Sequence, residues 1–235
     1  SNRLQLSLPP MITALPRWSP DGKHIAFMAR APGRPWKINR VSPDGGAAEQ
    51  LIAGGLDLEE GDPTWSPDGN RLAFGSNLFA EEVTSATKEI HLLDTKTGRI
   101  SKLSGSDGMF APRWSPDGRH IVAQSGDMKE LLLFDFITSR WTVLTRAAVM
   151  DAVIIGWQHW SRDAKYIYFS SWGYDPAVFR IRVSDNKLER VATLIDLRIL
   201  IGVFGGWIGF APDDSPVVLR HTGSQEIYAL EWIAP

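Results

Sequence analysis

The chain contains no cysteine among its 235 residues, which excludes disulfide bonds, thiolate metal sites and cysteine nucleophiles. It also lacks a long hydrophobic run. The longest uncharged apolar stretch, residues 199–211, is interrupted by four glycines and is too short to span a bilayer. We therefore expect this segment not to insert into a membrane.

The chain has no excess of basic residues, because 25 lysines and arginines face 27 aspartates and glutamates, for a net charge of -2. Proteins that bind a phosphate backbone usually present a basic surface, so we predict no nucleic-acid binding by this segment. Catalytic motifs are missing as well: there is no Gly-x-Ser-x-Gly elbow, His-Glu-x-x-His pair, phosphate-binding glycine loop or EF-hand pattern. The sequence predicts a protein that is not an enzyme and that uses no cofactor or metal.

A pentapeptide, Trp-Ser-Pro-Asp-Gly, is repeated along the chain. Complete or degenerate copies begin at five aromatic anchors, Trp18, Trp65, Trp114, Trp160 and Phe210. The anchors lie 47, 49, 46 and 50 residues apart, a spacing typical of four-stranded propeller blades. Ser-Pro-Asp-Gly suits a type I turn, and each copy is followed by a run of β-forming residues. Each copy is therefore predicted to join two antiparallel strands.

Two further β-type runs separate consecutive anchors, so each repeat should contain four strands. The predicted fold is all-β: a single β-propeller domain, residues 1–235, of about five four-stranded blades. The expected blades cover residues 14–53, 61–103, 110–145, 153–192 and 204–232. The fifth repeat has no outer strand after residues 226–232, whereas residues 3–8 alternate like a strand before the first anchor. We predict that these two segments pair and close the ring, which would cover an exposed sheet edge.

The repeated units resemble the WD40-like repeats of TolB-type propellers and of the non-catalytic propellers of prolyl-oligopeptidase-type enzymes. The tail, residues 206–235, is more similar to the C-terminal propeller of bacterial winged-helix transcriptional regulators and receptor kinases. This resemblance implies a sensing or protein-interaction module of a larger bacterial regulatory protein. The chain starts with Ser-Asn and has no signal-like segment, which indicates a piece excised from a longer protein. Bacterial periplasm and cytoplasm therefore both stay open as its localisation.

Two other functions are compatible with a propeller, because this fold hosts many unrelated activities. A propeller-scaffold enzyme of the glycosidase or lyase type would need paired carboxylates near the axis, and the predicted inner strands carry few acids. A propeller could instead gate an attached peptidase domain.

Several repeated or clustered side chains are predicted to be structural. The aspartates of the repeats should hold turns, since equivalent turns are too far apart to share a calcium ion. The anchor aromatics should pack between blades. An acidic stretch is predicted to be a solvated loop, with partner docking as the alternative; it consists of Asp57, Glu59, Glu60 and Asp62.

The residue before each anchor should lie on an innermost strand near the axis. These residues are Arg17, Thr64, Arg113, His159 and Gly209. Ring symmetry would gather the two arginines and the histidine into a positive focus. We predict that Arg17, Arg113 and His159 form a ligand-binding site at the channel mouth, which binds a carboxylate or phosphate of a partner protein or small molecule. The alternative is that each arginine pairs with a nearby carboxylate or lies in solvent.

Overall fold

A computed structural model describes residues 4–7, 9–52, 59–76, 88–202 and 205–223. Of these residues, 53% are in strands and 2% are helical, which confirms the all-β prediction. The helical residues of the described part form a single 3₁₀ turn, Ala147–Met150. Sixteen strands make four antiparallel sheets of four strands in a propeller arrangement.

The strands follow the repeats along the sequence, and each blade runs from its innermost to its outermost strand in chain order. Blade 1 contains β1 (Ile12–Trp18), β2 (Ile25–Arg30), β3 (Lys37–Val41) and β4 (Glu49–Gln50). Blade 2 contains β5 (Glu60–Trp65), β6 (Arg71–Ser76), β7 (Ile90–Asp94) and β8 (Ile100–Lys102). Blade 3 contains β9 (Met109–Trp114), β10 (His120–Ser125), β11 (Glu130–Asp135) and β12 (Arg140–Arg146). Blade 4 contains β13 (Ala152–Trp160), β14 (Tyr166–Gly173), β15 (Ala177–Arg182) and β16 (Leu188–Thr193).

The described residues form four complete blades rather than the predicted five. The fifth repeat contributes short pairs, β17 (Ile201–Gly202) with β18 (Gly205–Gly206) and β19 (Ile208–Phe210) with β20 (Pro216–Val218). β19 packs against β13 of blade 4, so this repeat occupies the next position in the series. The strands of this repeat that the structure describes have two or three residues each and make few ladder hydrogen bonds. The predicted third strand, residues 226–232, lies outside the described residues.

The strand predicted at residues 3–8 is wrong for residues 4–7, which have no regular secondary structure. Leu6 instead packs against the buried cluster of blade 1 that contains Ile25 and Phe27. The side chain of Leu4 lies 3.3 Å from the point where a Cβ on Gly45 would be. Leu6 is partly buried against blade 1, whereas Leu4 is exposed. The pairing with residues 226–232 stays a prediction, because those residues lie outside the described part of the chain.

A repeated hydrogen-bond set holds the Ser-Pro-Asp-Gly turns. In blade 2 the Ser66 hydroxyl donates to Asp68 Oδ1 at 2.6 Å and accepts from the backbone N–H of Arg71 at 2.9 Å. The same Asp68 oxygen accepts the backbone N–H of Asn70 at 3.0 Å. These bonds stabilise the ionised carboxylate and lower the pKa of Asp68 to about 2. Blades 1, 3 and 4 repeat the serine–aspartate bond, so the aspartates are turn residues.

Three anchor tryptophans join neighbouring blades. The indole N–H of Trp65 donates to the carbonyl of Arg17 at 3.1 Å, and that of Trp160 donates to the carbonyl of Arg113 at 3.0 Å. Trp114 packs in a cluster shared by blades 2 and 3. Trp18 departs from the predicted packing: it is 60% exposed, because none of the described blades precedes blade 1.

Candidate functional site

Each innermost strand bulges three residues before its anchor aromatic. The bulge residues have left-handed backbone conformations: Leu15 (φ 52°), Asp62 (φ 51°), Ala111 (φ 52°) and Trp157 (φ 55°). Strand pairing shifts register at each of these points. Positive φ is uncommon for residues other than glycine, and bulges change the direction in which a side chain points. Because the same bulge recurs in all four blades, it is a regular structural element of the innermost strands.

The four bulge residues line one central cavity of about 540 Å³. Apolar and aromatic side chains form most of its wall, among them Phe110, Ile155 and Trp172. A few polar side chains converge on it: Asp62, Lys88, Arg113, Gln124 and Gln158. An apolar chamber of this size with a few oriented polar groups has the composition of a small-molecule site.

Two arginines from different blades meet at one carboxylate. Arg17 Nη2 lies 3.3 Å from Asp62 Oδ1, and Arg113 Nη1 lies 2.9 Å from the same oxygen. The side chains of Asp62 and Arg113 are 8% and 10% exposed, whereas that of Arg17 is 29% exposed. Desolvation and, to a smaller extent, the charge of Arg113 lower the pKa of Arg17 to about 10, although the charge of Asp62 opposes the shift. Arg17 remains protonated at neutral pH, so the cluster carries one net positive charge.

His159 lies close enough to Arg17 and Arg113 for their charges to affect its pKa, but it adds no charge to the cluster. Its ring stacks on Phe210 with centroids 5.2 Å apart. The pKa of His159 is lowered, first by desolvation and then by the positive charges of Arg113 and Arg17, while Asp214 opposes the shift. The imidazole is therefore neutral at neutral pH. The predicted three-cation focus is replaced by two arginines, one carboxylate and a neutral histidine.

The acidic stretch is not a solvated loop at two of its four positions. Glu60 and Asp62 lie on β5 and are at least nine-tenths buried. Glu60 accepts hydrogen bonds from Lys37 Nζ at 2.9 Å and from the backbone N–H of Ile38 at 3.2 Å. Burial raises the pKa of Glu60 despite these bonds. The loop prediction was wrong for Glu60 and Asp62 because sequence does not show which carboxylates meet a cation from another blade. Of the other two positions, Glu59 is half-buried and Asp57 lies outside the described residues.

The sequence contained a signal for the bulge that the pentapeptide alone did not show. A proline stands two residues before the anchor in the first three repeats, at Pro16, Pro63 and Pro112. In these repeats the bulge residue immediately precedes this proline. The repeated sequence therefore begins at the bulge residue, three residues before the anchor aromatic. Asp62 stands out as the one acidic residue at the bulge position.

Among the described residues, no group of three or more histidines, aspartates and glutamates is placed to hold a metal ion. Within the same part of the chain, no helix has the length and apolar character to cross a membrane.

No known family model matches the chain, and no curated protein matches its sequence. Solved structures do match its fold. The putative TolB from Agrobacterium tumefaciens superimposes with a TM-score of 0.68 and 22% identity, covering 90% of this chain and 71% of that one. For TolB from Acinetobacter baumannii the TM-score is 0.65 with 20% identity, covering 87% of this chain and 47% of that one. The fold is that of a TolB-like β-propeller.

This chain spans about half the length of the Acinetobacter TolB. An oligogalacturonate lyase in complex with manganese is also similar, with a TM-score of 0.58 and 12% identity over 91% of this chain and 66% of that one. At identities of 12–22%, the similarity to the two TolB proteins and to the lyase concerns the fold alone, since propellers host unrelated functions. These similarities do not support the link of the tail to transcriptional regulators or receptor kinases.

Proposed function

We propose that this TolB-like propeller is a non-catalytic binding domain that recognises an anionic group of a partner protein or small molecule at the mouth of its central channel. The convergence of Arg17 and Arg113 on Asp62 carries the proposal, because two cations and one anion leave a positive charge. A guanidinium has five N–H donors, and the described hydrogen bonds of Arg17 go to Pro16 and Asp62. Since Arg17 is the most exposed of the three, it is the contact that an arriving carboxylate or phosphate reaches.

The charges around the cavity favour binding over catalysis. Asp62 is the one carboxylate among the described residues that line it, and two arginines already engage its Oδ1 atom. Glycoside cleavage ordinarily uses a pair of carboxyl groups on either side of the scissile bond. We therefore expect no hydrolysis when the protein is incubated with a panel of glycoside substrates. The gating of a peptidase domain and a place in a bacterial regulator stay predictions.

The anionic contact can be tested by NMR of the arginine side chains during titration with inorganic phosphate. The Nε–Hε resonance of Arg17 should shift with saturation, because a bound oxyanion changes the hydrogen bonding of that group. Arg17→Gln should remove the saturable response seen at neighbouring channel resonances. Arg119→Gln is the matched control, since Arg119 is a half-exposed arginine whose partner, Asp135 at the end of β11, lies 2.9 Å away.

The proposal fails if Arg17 shows no saturable shift, or if channel resonances of the Arg17→Gln variant respond as in the wild type. An equal response at Arg119 would show general ion condensation on exposed arginines and would equally contradict a site at the mouth.

A further inference from the structure

The cavity contains a buried lysine that lacks a carboxylate partner among the described residues. Lys88 is 8% exposed; its ammonium donates to the carbonyl of Gly126 at 3.3 Å and lies 4.4 Å from the centroid of Phe110. An ammonium has three N–H donors, and burial of a cation without an anion is unfavourable. Desolvation lowers the pKa of Lys88, as this environment requires. An anion that entered the cavity would offset the cost of burying this charge.

A second residue that lines the cavity has a polar atom without a partner among the described residues. Gln158 is 2% exposed, and its Nε2 donates to the backbone carbonyl of Ala111, which assigns the orientation of the amide. Its Oε1 atom is buried and has no hydrogen-bond partner among the described residues. Buried acceptors without partners are rare in native proteins. A ligand in the cavity should therefore donate an N–H or O–H to Gln158.

Aromatic rings form fixed walls beside these polar groups. The indole N–H of Trp172 donates to the hydroxyl of Ser170 at 2.9 Å, which holds the ring in one orientation. Gly206 lies directly against this ring: a Cβ at that position would be 2.5 Å from the indole. With Phe110 and Trp157, Trp172 gives the cavity flat apolar surfaces that suit a planar body.

We propose that this cavity binds a small aromatic carboxylate that also carries an N–H or O–H donor. Its carboxylate pairs with Lys88, its donor meets Gln158 Oε1, and its ring packs between the aromatic walls. One negative charge is required, because Lys88 is the cation of the cavity wall that has no carboxylate partner among the described residues. This inference extends the proposed function from the channel mouth into the chamber beneath it, and it depends on different side chains.

Three naphthalene probes separate the required groups in calorimetric titrations of the whole chain. 6-Hydroxy-2-naphthoate has ring, carboxylate and donor; 2-naphthoate lacks the donor, and 2-naphthol lacks the carboxylate. We expect 6-hydroxy-2-naphthoate to bind most tightly and 2-naphthol to bind about tenfold or more weakly, since a charge-assisted hydrogen bond is lost. Equal affinity of 2-naphthol and 6-hydroxy-2-naphthoate, or no binding of any probe at millimolar concentration, overturns the proposal.

Lys88→Met tests the site from the side of the protein. Methionine keeps the length and removes the charge, so folding should be retained and the preference for 6-hydroxy-2-naphthoate over 2-naphthol should disappear. Lys165→Met is the control, because Lys165 is an exposed lysine paired with Asp163 in the turn between β13 and β14 of blade 4. If Lys88→Met still prefers 6-hydroxy-2-naphthoate to 2-naphthol as the wild type does, Lys88 does not bind the carboxylate and the proposal is overturned. If this variant does not fold, the comparison of the three probes on the wild-type protein remains the test.

The two proposals are measured separately. Phosphate-induced shifts of Arg17 report on the channel mouth, whereas calorimetry of the naphthalene probes reports on the cavity. A negative result in one measurement therefore identifies which of the two sites is wrong.

Discussion

Asp62→Asn removes the charge that lies between Arg17 and Arg113 while it preserves the size of the side chain. Asparagine also tolerates the left-handed conformation of this residue, so the substitution isolates the electrostatic effect from backbone strain. Arg113 would keep a guanidinium that is 10% exposed and that has lost an anion 2.9 Å away. Removal of one partner from a buried ion pair costs about 3–5 kcal/mol. Because solvent reaches the partly exposed Arg17, we expect the lower end, about 3 kcal/mol.

Urea and thermal unfolding followed by circular dichroism measure this loss. In a chain of this length each kcal/mol lowers Tm by about 2–4 °C, so the variant should melt about 6–12 °C below the wild type. Glu130→Gln is the control, since its bridge to Arg146 lies on the surface and should contribute less than about 1 kcal/mol. A loss for Asp62→Asn no larger than that for Glu130→Gln would refute a buried, mutually dependent charge cluster at the axis.

The pKa of Asp68 is about 2 in the folded protein and near its ordinary value in the unfolded chain, so acid should destabilise the fold between about pH 4 and pH 2. In Asp68→Asn, the urea midpoint of unfolding should therefore depend less steeply on pH over this range. The lowered pKa of His159 acts in the same direction, because the unfolded state binds more protons; its contribution makes stability rise between about pH 4, the folded value, and about pH 6.5, the unfolded value. His159→Phe should reduce that rise, and an NMR titration giving His159 an ordinary or raised pKa would contradict it. Gly206→Ala should lower stability and alter the near-UV circular dichroism of Trp172, because a Cβ at this position would lie 2.5 Å from the indole. Gly202→Ala is the control and should alter neither, because its Cβ would lie 3.9 Å from the nearest atom, the carbonyl oxygen of Gly205.

The all-β architecture could be predicted from sequence because its signals are local and repeated. A turn such as Ser66 to Gly69 is determined by its own four residues, whose hydroxyl and carboxylate accept the backbone N–H groups of the two residues that follow, Asn70 and Arg71. The same local reasoning over-predicted the fifth blade. Its anchor copy, which begins at Phe210, keeps the order of the repeat, but the described residues of this repeat form only short strand pairs.

The candidate site was predictable only in part. Counting back one residue from each anchor selected Arg17, Arg113 and His159, and the structure places the three close enough for their charges to interact. Their chemistry was not predictable in the same way. The anion that joins the arginines, Asp62, was assigned to a loop, and the histidine was assigned a charge that it does not carry at neutral pH.

Sequence by itself determined the strands of the four complete blades, their turns and the approximate positions of the inner residues, since backbone preference and hydrogen bonding within a few residues specify them. Tertiary structure decided what those residues do. Asp62 meets Arg17 and Arg113 only because a bulge on β5 turns its side chain inward between blades 1 and 3. Charge state and cavity composition depend on distances and desolvation between segments that lie about fifty residues apart in the chain. No local pattern encodes those quantities.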